Sequence, residues 1–455
     1  MQVSTQTRTL ADYLSAAAHR PLSDSVMAKA RLHLLDTLAA IISGAHMPAG
    51  IMGRDYVRRF GGHGRAHVIG TSLRTGAVDA ALANGMSAHA DETDDSHAMS
   101  LSHPGCAVVS AALAVAAGRS VSGDLLLRAV CAGYDVGTRI GMAIGHPESP
   151  LEGSSISTHA HVGVYAAAVA SSVLMRLGEE GMRAMLALAG QSASGTTSWA
   201  RDPHHIEKAF VFGGMPASNG VRAAQLAEGG LRGVPDPFAA SPNVLDAYSP
   251  SPDRAQLTAE LGTRFEIVRS TIKKLAVGSP SQAAVQAVLD LLDEEPVDPS
   301  AVDSVIVTIP HDLARVVDGR ELPNINVQYL IAGTIVDGRF SFAMAHDRAR
   351  MTEPAIRSLV SRTRLVYDRS VTAVRRATVV LVFDDGHSRQ RTVTAVRGTP
   401  DNPMCEAEVV EKAHDLMDGL IGARAASRIV DSVSALGRGG GTDDLLDALR
   451  QFEFA

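Results

Sequence analysis

Between positions 84 and 103 the chain reads NGMSAHADETDDSHAMSLSH, so four carboxylates (Asp91, Glu92, Asp94, Asp95) and three imidazoles (His89, His97, His103) fall in one short polar run. Such a density of titratable groups suits proton transfer or the orienting of a charged substrate. It is equally the composition of a metal site or of a solvated acidic loop. Pro104-Gly105 follow at once and open an apolar helix, which sets His103 beside the N–H groups of a helix entrance, where anions are attracted. A carboxylate-bearing substrate would dock there.

Three later stretches carry isolated groups of the same kind. In 204–220, HHIEKAFVFGGMPASNG, Lys208 sits among apolar residues ahead of a glycine-rich turn. There it serves as a base, binds a carboxylate as a point charge, or is an ordinary surface lysine. The adjacent His204 and His205 point apart on a loop and make a poor metal pair. In 270–282, STIKKLAVGSPSQ, Lys273 and Lys274 precede Gly278-Ser279-Pro280, whose N–H groups lead into a helix at Ser281. Ser279 and Gln282 at this entrance are candidates for substrate binding, against a reading of the lysines as merely solvated. In 324–329, NINVQY, the Tyr329 phenol is either an acid and hydrogen-bond donor or a buried structural group.

Composition narrows the chemistry these residues serve. With 42 basic and 49 acidic side chains the net charge is −7, so no basic field exists to grip a nucleic-acid backbone. Three scattered cysteines, Cys106, Cys131 and Cys405, form neither a disulfide framework nor a CxxC pair, which fits a reducing cytoplasm. The amino-terminal segment lacks the apolar core of a secretory signal, and the longest bland apolar run, 106–118, is too short to span a bilayer. No nucleotide-binding glycine loop, GxSxG or HExxH element is present, so nucleotide cofactors, serine hydrolysis and zincin chemistry are disfavoured.

The elements that must position these groups follow from periodicity. A chain of 455 residues with 45% hydrophobic composition exceeds one ordinary core, and two domains are expected. Apolar residues at three- and four-residue steps predict helices over 26–43, 76–90, 105–117, 123–144, 161–177, 180–189 and 220–226. Their faces are rich in Ala, Gly and Ser, which lets helix axes approach closely. From about 267 the pattern changes: 302–310 alternates, and 378–383 and 389–396 read as strands joined by an Asp-Gly turn. Helical patterns over 281–292, 328–336 and 353–360 lie between them, which predicts an α+β unit with an antiparallel sheet. The fold class is therefore mainly α: a helical domain over 1–266, a smaller inserted α+β lid domain over 267–400, and a helical return over 401–455. The cleft between the domains is the default site. Arg438 to Thr442, RGGGT, reads as a flexible loop.

Taken together, the run LLDTLAAIIS (34–43), Asn84-Gly85 through Glu92 and Asp94-Asp95-Ser96-His97, then His103-Pro104, Lys208 before a glycine-rich turn, and Asn219-Gly220 resemble the MmgE/PrpD family. That family includes 2-methylcitrate dehydratases, cis-aconitate decarboxylases and iminodisuccinate epimerases. The resemblance implies an all-helical domain built from both chain ends, a smaller α+β lid, a homodimer, and neither metal nor organic cofactor. It implies catalytic roles for His103, Lys208, Tyr329 and Glu92. For Lys273, Ser96, Asp95, Ser279, Gln282 and His159 it implies contact with the substrate.

Two positions depart from the decarboxylase pattern. Ser157 stands where decarboxylases carry an imidazole ahead of the helix at Gly163, with His159 and His161 out of register, and Gly278 stands at another of their histidines. The expected reaction is removal of a proton next to a carboxylate, with cations stabilising the enolate-like intermediate. A 2-methylcitrate-like hydroxy-polycarboxylate undergoing dehydration is the leading expectation. Epimerisation of an imino- or amino-dicarboxylate, cis-aconitate decarboxylation, and a non-catalytic carboxylate-binding dimer are the alternatives.

Overall fold

The structure is a computed structural model that describes residues 3–145, 154–370 and 375–454. The chain divides into two compact units. The larger comprises Met1–Ala90, Asp94–Ile272 and Cys405–Ala455; the smaller comprises Asp91–Thr93 and Lys273–Met404. The mainly helical class holds.

The larger unit begins with α1 (Thr5–Ala16), α2 (Asp24–Gly44) and α3 (Pro48–Phe60). A two-stranded ribbon of β1 (Ala66–His67) and β2 (Arg74–Thr75) leads to α4 (Ala77–Ala88), α5 (Pro104–Ala116), α6 (Gly123–Ile144), α7 (Thr158–Leu174) and α8 (Glu179–Ser192). The short α9 (Ile206–Ala209), then α10 (Met215–Glu228) and α11 (Val244–Tyr248), complete its first part. Helix starts follow side-chain chemistry: Ser23 caps α2 and Ser122 caps α6, each hydroxyl accepting from the N–H three residues on. Small residues set the helix spacing as the sequence implies. A Cβ at Gly137 of α6 would lie 2.5 Å from the Ala166 Cβ of α7, and one at Gly220 of α10 2.5 Å from the Ala167 Cβ. No single helix among the described residues is long and apolar enough to cross a membrane.

The smaller unit holds α12 (Gln282–Glu294), β3 (Val302–Pro310), α13 (His311–Val317), α14 (Val327–Asp337), α15 (Phe342–His346), α16 (Pro354–Ser361), β4 (Thr363–Asp368), β5 (Ala377–Phe383) and β6 (Ser388–Val393). Its sheet runs β4-β3-β5-β6 and is mixed: β3 pairs antiparallel with β5 but parallel with β4. This corrects the expected all-antiparallel sheet. β4 arrives after a helical crossover, the connection a parallel neighbour requires, and its half-exposed sequence shows no clean alternation. The apolar faces of β3 and β5, including Val305, Val307, Ile309, Val379 and Leu381, bury against Val285 and Val288 of α12 and Leu330 and Ile331 of α14.

The smaller unit starts at Lys273 rather than near 267, because the turn Glu266–Arg269 belongs to the larger unit. The Glu266 N–H donates to Asp135 of α6 at 3.2 Å, and Ser96 and Thr271 exchange two backbone hydrogen bonds. After Met404 the chain re-enters the larger unit as α17 (Glu406–Ile421), α18 (Ala423–Ala435) and α19 (Thr442–Ala448).

Candidate active site

The run from His89 to His103 is the connection between α4 and α5, and nearly all of it is buried. It is therefore no solvated acidic loop. Asp94 and Asp95 are fully buried and serve two different sets of partners. One oxygen of Asp94, Oδ2, lies 2.8 Å from His89 Nδ1 and 3.2 Å from His103 Nδ1. Asp95 accepts from His33 Nδ1 of α2 at 2.7 Å, from the Tyr134 hydroxyl of α6 at 2.5 Å, and from the Gly105 N–H of α5 at 3.0 Å. Burial lowers His33 and raises the Tyr134 phenol well above its ordinary range, so both are neutral donors to Asp95. The Gly105 amide, which the sequence suggests for a substrate carboxylate, is taken up by the protein's own.

His97 is anchored by Ser100 at 2.9 Å and by Glu266 at 3.2 Å. Burial alone would push the Glu266 carboxyl up, but His97, Arg269 and Arg264 outweigh it and hold it down at about 2. The loop is thus pinned near its middle, by Asp95 and by His97.

The second wall comes from 199–214. The backbone of Phe210–Gly214 makes a π turn before α10, and Gly213 meets Gly85 of α4 backbone to backbone. A Cβ at Gly213 would stand 2.0 Å from the Gly85 carbonyl oxygen, and one at Gly85 2.5 Å from that of Gly213. Only glycines permit this crossing, which brings the Lys208 segment to the end of α4. Phe212 then forms the hub of a ring cluster. His159 stacks on it at 3.8 Å, His89 at 4.4 Å, Trp199 stands edge-on at 4.7 Å, and His103 lies 5.5 Å away. The Lys208 ammonium lies over the faces of Phe212 and Trp199 at 5.2 and 5.5 Å.

The larger unit therefore brings together His103, Lys208 and His159. Of the two histidines left open by the sequence, His159 has its ring 5.4 Å from His103, whereas His161 stands edge-on to Tyr248. Ser157 accepts from Trp199 Nε1 at 3.3 Å. His204 is exposed and His205 buried, pointing apart as expected, with His205 Nε2 3.0 Å from the His89 carbonyl. Sequence reasoning missed Phe212 and Trp199 and weighed His205 only as half of a metal pair. The signal was the aromatic and histidine content of the Lys208 stretch itself.

The smaller unit holds the remaining candidates. Lys273 is fully buried; its ammonium donates to the Glu92 carbonyl at 2.8 Å and lies 3.2 Å from the Glu92 carboxylate. Glu92 has a left-handed backbone, φ 62°. Gln282 donates to the carbonyls of Leu275 and Val277 and so clamps the turn before α12, while the Ser279 hydroxyl is buried without a partner. The Tyr329 phenol donates to the Met344 carbonyl at 2.6 Å, and burial pushes it up to about 12.

Ligand atoms of His89, Asp94 and Cys106 lie within 4.8 Å of one another, a spacing that would suit a metal. Cys106 is turned to other partners, its thiol donating to the carbonyls of His103 and Phe212, and burial with the charges of Asp94 and Asp95 pushes that thiol well up.

Residues 8–257 match the MmgE/PrpD N-terminal domain, and 276–437 match the MmgE/PrpD C-terminal domain. Among curated proteins, the chain is 24% identical to a cis-aconitate decarboxylase-like protein, oryM, of Aspergillus oryzae, over 97% of this chain and 96% of that protein. It is also 24% identical to a cis-aconitate decarboxylase of Aspergillus terreus, over 97% of this chain and 95% of that one. With both domains matched in order along the chain, this protein belongs to the MmgE/PrpD family.

Proposed function

We propose that this chain is a lyase that acts on a small polycarboxylate by moving protons at the carbon next to a carboxylate, and that its reaction is dehydration of a 2-methylcitrate-like hydroxy acid. The observation that carries this reading is the shared oxygen of Asp94, which orients His89 and His103 in a ring cluster faced by the Lys208 ammonium. His103, oriented by that carboxylate, takes the α-proton; His159 beside it protonates the departing hydroxyl, so that water leaves and a C=C bond forms. Lys208 holds a carboxylate and stabilises the negative charge that develops on it. The family pattern gives Lys273 and Ser96 a part in binding the substrate and Glu92 and Tyr329 a part in catalysis, roles that substitution tests one at a time. The working form is a cytoplasmic homodimer. Its support is the uncovered apolar face of α3, where Met52, Tyr56 and Phe60 recur at four-residue steps.

A second reading, decarboxylation of a cis-aconitate-like tricarboxylate, draws support from His159, which supplies an imidazole at His103 despite Ser157, and from the names of the relatives. Here CO2 leaves and an imidazolium returns a proton to the carbon. Incubation with 2-methylcitrate, citrate, cis-aconitate and iminodisuccinate in heavy water separates the outcomes. Loss of water with new enoic-acid absorbance supports dehydration, and loss of CO2 supports the second reading. Deuterium gain without net product points to an epimerase. Lys208→Ala is expected to cut turnover by orders of magnitude with unchanged melting. If no acid reacts or exchanges, the catalytic reading fails.

A further inference from the structure

The larger unit carries a second concave feature whose lining residues take no part in the His103 cluster. A cavity of about 640 Å³ is lined by three arginines: Arg31 of α2, Arg128 of α6 and Arg438 of the glycine-rich turn between α18 and α19. Asp24 and Asp124 also line it. Arg31 is 8% exposed and donates to the Leu436 carbonyl at 3.0 Å. Arg128 donates to the Ala18 carbonyl at 3.1 Å, and its Nε is buried without an acceptor. Among the described residues, no carboxylate oxygen lies within 4.0 Å of any of the three guanidinium groups.

Three like charges gathered on one hollow repel one another. Burial depresses Arg31 first, and Arg438 does so next, ahead of the opposing pull of Glu406, Asp24 and Asp124. The two lining aspartates leave an excess of one positive charge on the wall. The capped amino-terminal turns of two long helices, α2 and α6, supply Asp24 and Asp124 to it and add positive ends of helix dipoles. The turn that presents Arg438 is built for the place. Gly437 has φ 70°, and a Cβ there would stand 2.9 Å from Asp124 Oδ1, so a side chain would crowd the wall.

We propose that this cavity binds a compact phosphate-type oxyanion, either free phosphate or the phosphate group of a small ester. Arg128 and Arg438 grip it and Arg31 backs them. Guanidinium forks match phosphate oxygens in pairs, and the volume lies within the range of small-molecule sites. The proposal goes beyond the polycarboxylate reading and stands or falls apart from it, because it uses none of the same residues.

The test is calorimetric titration of the full-length protein carrying Lys208→Ala, which removes the half-buried lysine cation of the His103 cluster, with inorganic phosphate, glycerol phosphate and succinate as probes. Saturable binding of a phosphate probe is expected, weakened at least tenfold by Arg438→Gln or Arg128→Gln and weakened by added salt. Binding of inorganic phosphate alone identifies the free ion, and tighter binding of glycerol phosphate identifies the ester. Arg438 is exposed, so its variant is expected to melt with the parent and to keep turnover in the Lys208 background. Absence of saturable phosphate binding, binding indifferent to both substitutions, or binding of succinate in preference to phosphate overturns the proposal.

Discussion

Asp94 and Asp95 are neighbours in sequence, equally buried, and chemically unlike. Asp94 faces two imidazoles of the ring cluster, whereas Asp95 ties together α2, α5 and α6. Their amide variants should therefore fail differently. Asp94→Asn keeps the shape but removes the charge that orients His103 and stabilises its protonated form. Turnover is expected to fall about 10²–10⁴-fold, the range of a lost general acid/base, with little change in melting. Asp95→Asn leaves His33 and Tyr134 facing an amide in a dry interior, which costs on the order of 3 kcal/mol. Its melting temperature falls first and its activity follows. Steady-state assays and thermal melts on the pair check both, and an Asp94→Asn enzyme of full activity would remove His103 from the chemistry.

At the scale of elements, two contacts position the site. Gly213→Ala forces a Cβ against the Gly85 carbonyl oxygen, so the π turn must retreat from α4. Overpacking of this kind costs about 1–3 kcal/mol, and turnover is expected to fall as Lys208 and Phe212 move with the turn. A circular-dichroism melt paired with a turnover assay reads both. The second contact is His97–Glu266. Because the folded protein holds Glu266 at about 2 against an ordinary 4.5, the unfolded chain binds that proton more readily. The stability this group contributes is complete above about pH 4.5 and is lost as pH falls toward 2. Glu266→Gln should flatten that acid limb in melts recorded across the window. How much of this was readable follows from locality. Helix 123–144 and strand 302–310 are found where the periodicity places them, because a Ser122 cap and strict alternation are local signals. α3 went unread, since its buried residues are mostly glycine and alanine, and so did the edge strand β4. The choice between His159 and His161 stayed open for a related reason: both lie in the first turn of α7, which begins at Thr158, ahead of the apolar pattern, and only the fold shows that His159 is the one beside His103. The carboxylates and lysines were visible as types in a row. Which of two adjacent aspartates served the site was not, because that choice is made by His33 and Tyr134, far away in the chain.

At the scale of the whole molecule, the larger unit is closed by its last fifty residues, which return after the smaller unit has been completed. The return is fastened by Lys412 of α17, whose ammonium lies 2.6 Å from Asp36 of α2, a carboxylate 376 positions away and fully buried. Burial raises Asp36 to about 6 even with Lys412 pulling it down. An acid held above its ordinary 3.8 binds its proton more tightly folded than unfolded, so this group's contribution to stability declines as pH rises from about 4 to about 6 and stays low above it. Lys412→Met strips the compensating charge and carries that decline on to higher pH. We expect a loss of about 3–5 kcal/mol at pH 8, as for other buried charges left alone, and a smaller loss at pH 5, where Asp36 carries its proton. Adding Asp36→Leu should restore most of the difference at pH 8, because an apolar pair replaces a lone buried anion. Urea unfolding of the single and double variants at the two pH values measures all four quantities. A Lys412→Met loss that is equal at pH 5 and pH 8 would show that α17 is held by its apolar face, through Leu416 and Met417, and not by the ion pair.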